Sequence, residues 1–302
     1  MSVTNERDFA GYGRERPRPP WRDQSPLALS LVLNYEEGAE RSVLNDDATS
    51  ETYIHEVPGL EPRVGGRDLN AESLYDYGAR AGVWRILRLF EELGVTATVY
   101  AVGKALALNP EVGRQFARQG LEVASHNWRW IDYADVDEDT EREHILLAKN
   151  AIREITGEAP VGFYCGRVSA NSRRLAIECG GLLYDSDAYD DDIPYWLALE
   201  GGGRHLVIPY ALDTNDMKFS TLNGFAAPTE FADYLCAAFD ELYREGVDGR
   251  PAMLSVGLHC RVIGRPARLA ALRRFLEHVL GHEDVWICHR ADIARAYHND
   301  GS

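Results

Sequence analysis

Two adjacent carboxylates, Glu36 and Glu37, close the apolar run LALSLVLNY near the start of a 302-residue chain. A carboxylate at a strand end can take a proton from water, and an acid beside it raises its pKa by like-charge repulsion toward a useful value. Histidine, which can hold or release a proton near neutral pH, ends two further apolar runs: His126 in EVASHNWRW and His259 in LSVGLHCR. Polar groups close two more, Tyr164 to Arg167 in GFYCGR and the acids of LLYDSD. Each has an ordinary alternative. The acids could be a solvated loop start, the histidines satisfied structural residues, and Trp128 and Trp130 core or lid. Their joint placement favours chemistry, because independent solvated groups need not fall at the same end of successive strands.

The elements that must position these groups alternate. LALSLVLNY reads as a buried strand, and further strands are expected at Thr96–Val102, Leu121–Ser125, Val161–Tyr164, Leu182–Asp185, Leu206–Tyr210, Met253–Leu258 and Val285–Cys288. Helices are expected between most of them, at Val83–Leu93, Asp139–Thr156, Asn171–Cys179, Thr229–Glu245 and Arg265–Leu280. In the first, Val83, Ile86, Leu87 and Phe90 recur at helical spacing. The second opens with an acidic turn that suits the positive end of the helix dipole.

Repeated strand–helix alternation predicts an α/β fold, a distorted seven- or eight-stranded (β/α) barrel, with an open doubly wound sheet as the alternative. In such a barrel the C-terminal strand ends converge on one mouth, which is where the polar residues fall. No glycine-rich loop follows the first strand, so neither a dinucleotide nor a Walker-type phosphate site has support. Residues 1–25, with Pro17, Pro19 and Pro20, read as an N-terminal arm that Phe9, Tyr12 and Trp21 could anchor, and residues 26–302 as one barrel domain. The polar stretch from about 36 to 70 is long enough to be functional or packed at an interface.

A formal charge of −16 opposes nucleic acid, and no basic cluster offsets it. Five scattered cysteines without a CxxC pair argue against a disulfide framework or thiolate zinc site. With no apolar signal or membrane-length run, the expectation is a cytoplasmic protein without membrane or nucleic-acid partners.

The order of motifs resembles the polysaccharide deacetylase superfamily: an acidic pair after the first strand, an HxxxH motif, an R-P-x-Y-G segment, an aspartate-containing segment and a late LH. More narrowly, NYEEGAER, ESLYDYGARAGVWRIL, SHNWRWIDY, GRVSANSRRL, YDSDAYDDDIPYW, IPYALDTNDMKF and LHCRVIGRPARL resemble the metal-independent allantoinases of that superfamily. The resemblance implies a deacetylase-like barrel, a homotetramer, and opening of the hydantoin ring of allantoin to allantoate in purine degradation.

In the superfamily pattern the acidic pair is Asp-Asp, the first a base and the second holding a divalent metal beside two histidines four residues apart. Here Glu36 and Glu37 form the pair, His126 matches the first histidine, and Trp130 stands in place of the second. An indole nitrogen carries its hydrogen and has no lone pair to give a metal, so no catalytic metal and no cofactor are expected. The resemblance then implies Glu36 as base, Glu37 as the acid that tunes it, His259 as proton donor to the leaving nitrogen, and His126 orienting water or polarising the carbonyl. Arg167 and backbone amides are candidate oxyanion donors. Trp130, Tyr164, Arg167, Asn215 and Asp216 are candidate contacts to a small polar ring. The competing readings are a hydrolase of other cyclic imides, a carbohydrate N-deacetylase with a rearranged metal site, and a non-catalytic barrel that binds a small ligand.

Overall fold

The computed structural model describes residues 8–57, 59–200 and 202–300. Its strands are β1 (Leu27–Tyr35), β2 (Thr98–Ala101), β3 (Glu122–Ser125), β4 (Gly162–Phe163), β5 (Tyr184–Asp185), β6 (Tyr195–Ala198), β7 (Arg204–Val207), β8 (Ala252–His259) and β9 (Val285–Ile287). They form one sheet in the order β6-β7-β5-β4-β3-β2-β1-β8, with β9 also on β1. Every expected strand is present within a few residues. β6, which pairs antiparallel with β7, was missed, although the glycine run between its apolar stretch and β7 is a hairpin signal.

All nine residues of β1 are buried, as suits a central parallel strand covered on both faces. β1 pairs with β8 from Leu27 to Asn34, while on its other side β9 takes Leu27–Leu29 and β2 takes Val32–Tyr35. This stagger curls the sheet into a distorted (β/α) barrel. Its two ends meet loosely where β8 faces the chain after β5: Gly257 N–H donates to the Thr214 carbonyl at 3.3 Å and Met253 N–H to that of Asp192 at 2.8 Å.

The barrel interior holds a fully buried arginine. Arg290 donates through Nε to Ser186, through Nη1 to Ser30 and Ser255, and through Nη2 to the carbonyls of Ile208 and Pro209. These bonds use all five guanidinium hydrogens, which is the condition for burying the group. They tie β1, β8 and the ends of β5 and β7 together where the ladder is weakest.

The helix Val83–Leu93 buries Val83, Ile86, Leu87 and Phe90, the stripe its spacing predicts, and stops at Gly94 in the left-handed conformation. The helix Glu138–Thr156 is capped by the Asp137 carboxylate on Thr140 N–H and has Glu138, Asp139 and Glu141 in its first turn. In the described part of the arm, Trp21 is buried, donates its indole N–H to the Ala252 carbonyl, and packs on Trp286 and Tyr297. Phe9 is 81% exposed.

Candidate active site

The strand ends bring Glu36, His126 and His259 to one point. Glu36 follows β1 directly, and Ala39 N–H closes a turn on its carbonyl. His126 continues β3, its N–H bonded to the Ala101 carbonyl, and His259 is the last residue of β8. Nε2 of His126 lies 3.4 Å and Nε2 of His259 3.5 Å from the same oxygen, Oε1 of Glu36. The other oxygen, Oε2, accepts from Nη1 of Arg261 at 2.7 Å. All four residues are buried.

Each imidazole is oriented from behind. Nδ1 of His126 lies 3.1 Å from the Tyr164 carbonyl, which can only accept, so Nδ1 carries a hydrogen. Nδ1 of His259 lies 2.6 Å from Oδ1 of Asp216, whose Oδ2 accepts the backbone N–H of His259 and Ile263. Asp216 is fully buried behind the histidine. It was expected to touch substrate, and instead it orients His259.

Charges in the cluster are set by these neighbours. Burial opposes the Glu36 carboxylate, but Arg261 and the two imidazoles outweigh it and hold the group well below the usual carboxylate range. Burial likewise disfavours a charged His259, and Glu36 with Asp216 overcomes it, so the His259 pKa is raised. The cluster thus favours a carboxylate on Glu36 and a proton on His259.

Glu37, expected to tune Glu36, is held behind the turn. Its Oε2 accepts the Glu36 N–H at 2.8 Å, and its Oε1 is buried without a hydrogen-bond partner. That oxygen lies 2.2 Å from where a Cβ on Gly78 would stand, so Glu37 packs behind the turn against the π-helical turn Gly78–Gly82. Burial, with Glu36 adding to it and Arg261 opposing, pushes Glu37 up to about 7.

Arg261 was missed, though it stands two residues after His259 in LHCR. Its guanidinium lies 4.1 Å from the centre of the Tyr75 ring and 5.1 Å from that of Trp130, a cation held by two aromatic faces. Nη1 is also 4.0 Å from Oε1 of Glu37. One fixed positive charge thus serves both acids.

A cavity of about 170 Å³ opens onto Glu36, His126 and His259 and is also lined by Asn34, Trp130, Tyr164, Arg167, Tyr210 and Asn215. Neither Glu37 nor Asp216 reaches it. Tyr53 and Ile54, from the long polar stretch, form part of its wall. Tyr53 stacks on Trp130 at 5.8 Å, and Arg167 pins this segment through Nη1 to Glu51 at 3.0 Å. Nη1 of Arg167 also lies 3.4 Å from the Trp130 carbonyl, so this nitrogen, expected to meet an oxyanion, is committed to holding the roof.

The donor set does not suit a divalent metal. One Glu36 oxygen is taken by the Arg261 guanidinium, the second acid does not reach the cavity, and Trp130 offers no lone pair. The described residues hold one histidine–carboxylate group with metal-compatible spacing, Asp240, His278 and His282, and it shares no residue with this site.

The sequence profile of the polysaccharide deacetylase family matches residues 70–180. A Schizosaccharomyces pombe relative named for polysaccharide deacetylase is 41% identical, over 96% of this chain and 96% of its own. The chain belongs to the polysaccharide deacetylase family. Among solved structures, that of Puue allantoinase is 52% identical, covering 98% of both chains with a TM-score of 0.95. A structure described as a probable polysaccharide deacetylase from Pseudomonas aeruginosa PAO1 is also 52% identical, covering 97% of this chain and 98% of its own, with a TM-score of 0.94. In this deacetylase-family barrel, Glu36, His126 and His259 stand at the C-terminal strand ends. No described helix is long and apolar enough to cross a membrane.

Proposed function

We propose that this protein is an amidohydrolase that opens a cyclic amide without a metal, with allantoin as substrate and allantoate as product. The observation that carries the reading is the convergence of one arginine-paired carboxylate and two imidazoles on a small, roofed cavity. A space of about 170 Å³ suits a small ring better than a polymer chain, which needs an open groove. The 52% identity to Puue allantoinase over nearly the whole chain supports the choice of ring.

Water held between Glu36 and the histidines gives a proton to Glu36 as its oxygen attacks a ring carbonyl. His259 then passes its Nε2 proton to the ring nitrogen as the C–N bond breaks. The carboxylic acid formed returns a proton to His259, the proton on Glu36 leaves to solvent, and one proton is released per ring opened. Arg261 keeps Glu36 ionised at some expense of basicity, which an imide-like ring with a good leaving nitrogen tolerates better than a peptide would.

A second reading, carbohydrate N-deacetylation, is favoured by the naming of the Schizosaccharomyces pombe relative. Product analysis separates the two. The proposal expects allantoate from allantoin, with negligible acetate from an N-acetylated chitooligosaccharide; the reverse pattern rejects it.

A further inference from the structure

Amide hydrolysis places negative charge on the carbonyl oxygen, and a site without a metal needs a hydrogen-bond donor aimed at it. Several donors around the cavity are spent. The backbone N–H groups of Cys165 and Gly166 both go to Asp187, that of Tyr164 goes to the Ser125 carbonyl, and Nη1 of Arg167 holds Glu51.

Tyr210 differs. Its hydroxyl oxygen accepts from Nδ2 of Asn34 at 3.3 Å and from Nδ2 of Asn215 at 3.2 Å. Neither amide can be turned round: the same Nδ2 of Asn34 donates to the Leu258 carbonyl at 3.1 Å, and Oδ1 of Asn215 accepts from Met217 N–H at 2.9 Å. Both acceptor positions of the phenol are therefore filled from behind, and its own hydrogen has no acceptor among the described residues. Tyr210, Asn34 and Asn215 together form one wall of the cavity that holds Glu36 and His259.

The ring is fixed as firmly as the oxygen. It packs edge-on against Tyr100 and Tyr164, with centroids 5.6 and 5.1 Å away. A Cβ on Gly257 would lie 2.2 Å from both the Tyr210 hydroxyl and Nδ2 of Asn215, so β8 leaves room for this arrangement at that position.

From this geometry we infer that Tyr210 is a catalytic residue whose hydroxyl donates to the developing oxyanion, and that Asn34 and Asn215 are positioning residues that aim it. The inference rests on the reading of the site as an amide hydrolase. Burial holds the phenol well above its ordinary pKa, which favours the hydrogen-bearing form. Asn215, expected to meet substrate, lines the cavity and uses one amide hydrogen on Tyr210.

The test compares wild type, Tyr210→Phe and Tyr210→3-fluorotyrosine on allantoin, succinimide and an N-acetylated chitooligosaccharide. On whichever amide the wild type cleaves, Tyr210→Phe should lower kcat by roughly 10²–10³ with KM within about threefold, the loss expected for one oxyanion donor. The fluorinated variant keeps both asparagine bonds and the shape, and its more acidic hydroxyl should raise kcat. A Phe variant within tenfold of wild type, or a fluorinated variant with unchanged kcat, overturns the inference. Cleavage of the chitooligosaccharide alone would remove the cyclic-amide reading and still report on Tyr210; turnover of none of the three removes both.

Discussion

Nη1 of Arg261 stands 2.7 Å from Oε2 of Glu36, on the side of the carboxylate away from the two histidines. The acid expected to work as a base is therefore held toward its ionised form by a fixed cation. Removing either partner leaves the other charged and buried, which costs about 3–5 kcal/mol.

The pH profile of Arg261→Gln tests this pairing. In the wild type Glu36 titrates well below the ordinary range, so kcat/KM should stay level on the acid side until the fold itself is lost. Without the guanidinium the carboxylate binds protons more readily, and the acid limb should move to higher pH. An acid limb unchanged in the variant would show that Arg261 has no hold on the base.

Glu36→Gln keeps the shape and removes the base. Loss of general-base catalysis lowers kcat by roughly 10²–10⁴, and calorimetry should show lower stability because Arg261 is left unpaired. Retention of a tenth of wild-type kcat would assign the base elsewhere.

In the proposed reaction His259 must carry its proton to release the ring nitrogen. Its pKa is raised, against burial, by Glu36 and Asp216, so activity should fall on the alkaline side as that proton is lost. Asp216→Asn removes one of the two anions, and the alkaline limb should shift to lower pH. Equal profiles for the two proteins would mean that Asp216 only packs.

Stability carries a separate signature from Glu37. Its folded pKa of about 7 exceeds its unfolded value, so its stabilising contribution is complete below the unfolded pKa and is lost as pH rises through 7. Glu40 and Asp187, also pushed up to about 7 by burial, act in the same direction. Between pH 6 and pH 8 each should cost on the order of 1 kcal/mol, and Tm should fall. Glu37→Gln, which cannot ionise, should lose less Tm over that interval and keep its activity, because Glu37 does not line the cavity. A variant as pH-sensitive as wild type would contradict this placement.

Much of the fold was legible because apolar runs and helical spacing report burial directly: β1 and the Val83–Leu93 stripe lie where those patterns put them. The convergence of Glu36, His126 and His259 followed from one rule, that parallel strands end at a common mouth. Their partners were harder to read. Whether Asp216 meets substrate or His259, and whether Asn215 meets substrate or Tyr210, depends on side-chain direction in a loop, which no spacing encodes. Arg261 escaped notice because a charged residue after a strand reads as a solvated loop, whereas two aromatic rings and an acid bury it here. The base role of Glu36 came from the resemblance and the tuning role of Glu37 from adjacency; the unequal distances to Arg261, 2.7 Å against 4.0 Å, separate the two acids.

The most direct measurement is allantoin hydrolysis by protein dialysed exhaustively against a chelator, with metal content checked by elemental analysis. An arginine-paired carboxylate acting with two imidazoles predicts allantoate formation at the untreated kcat/KM, unchanged by added zinc. Loss of turnover on chelation, restored by one equivalent of zinc, would contradict it.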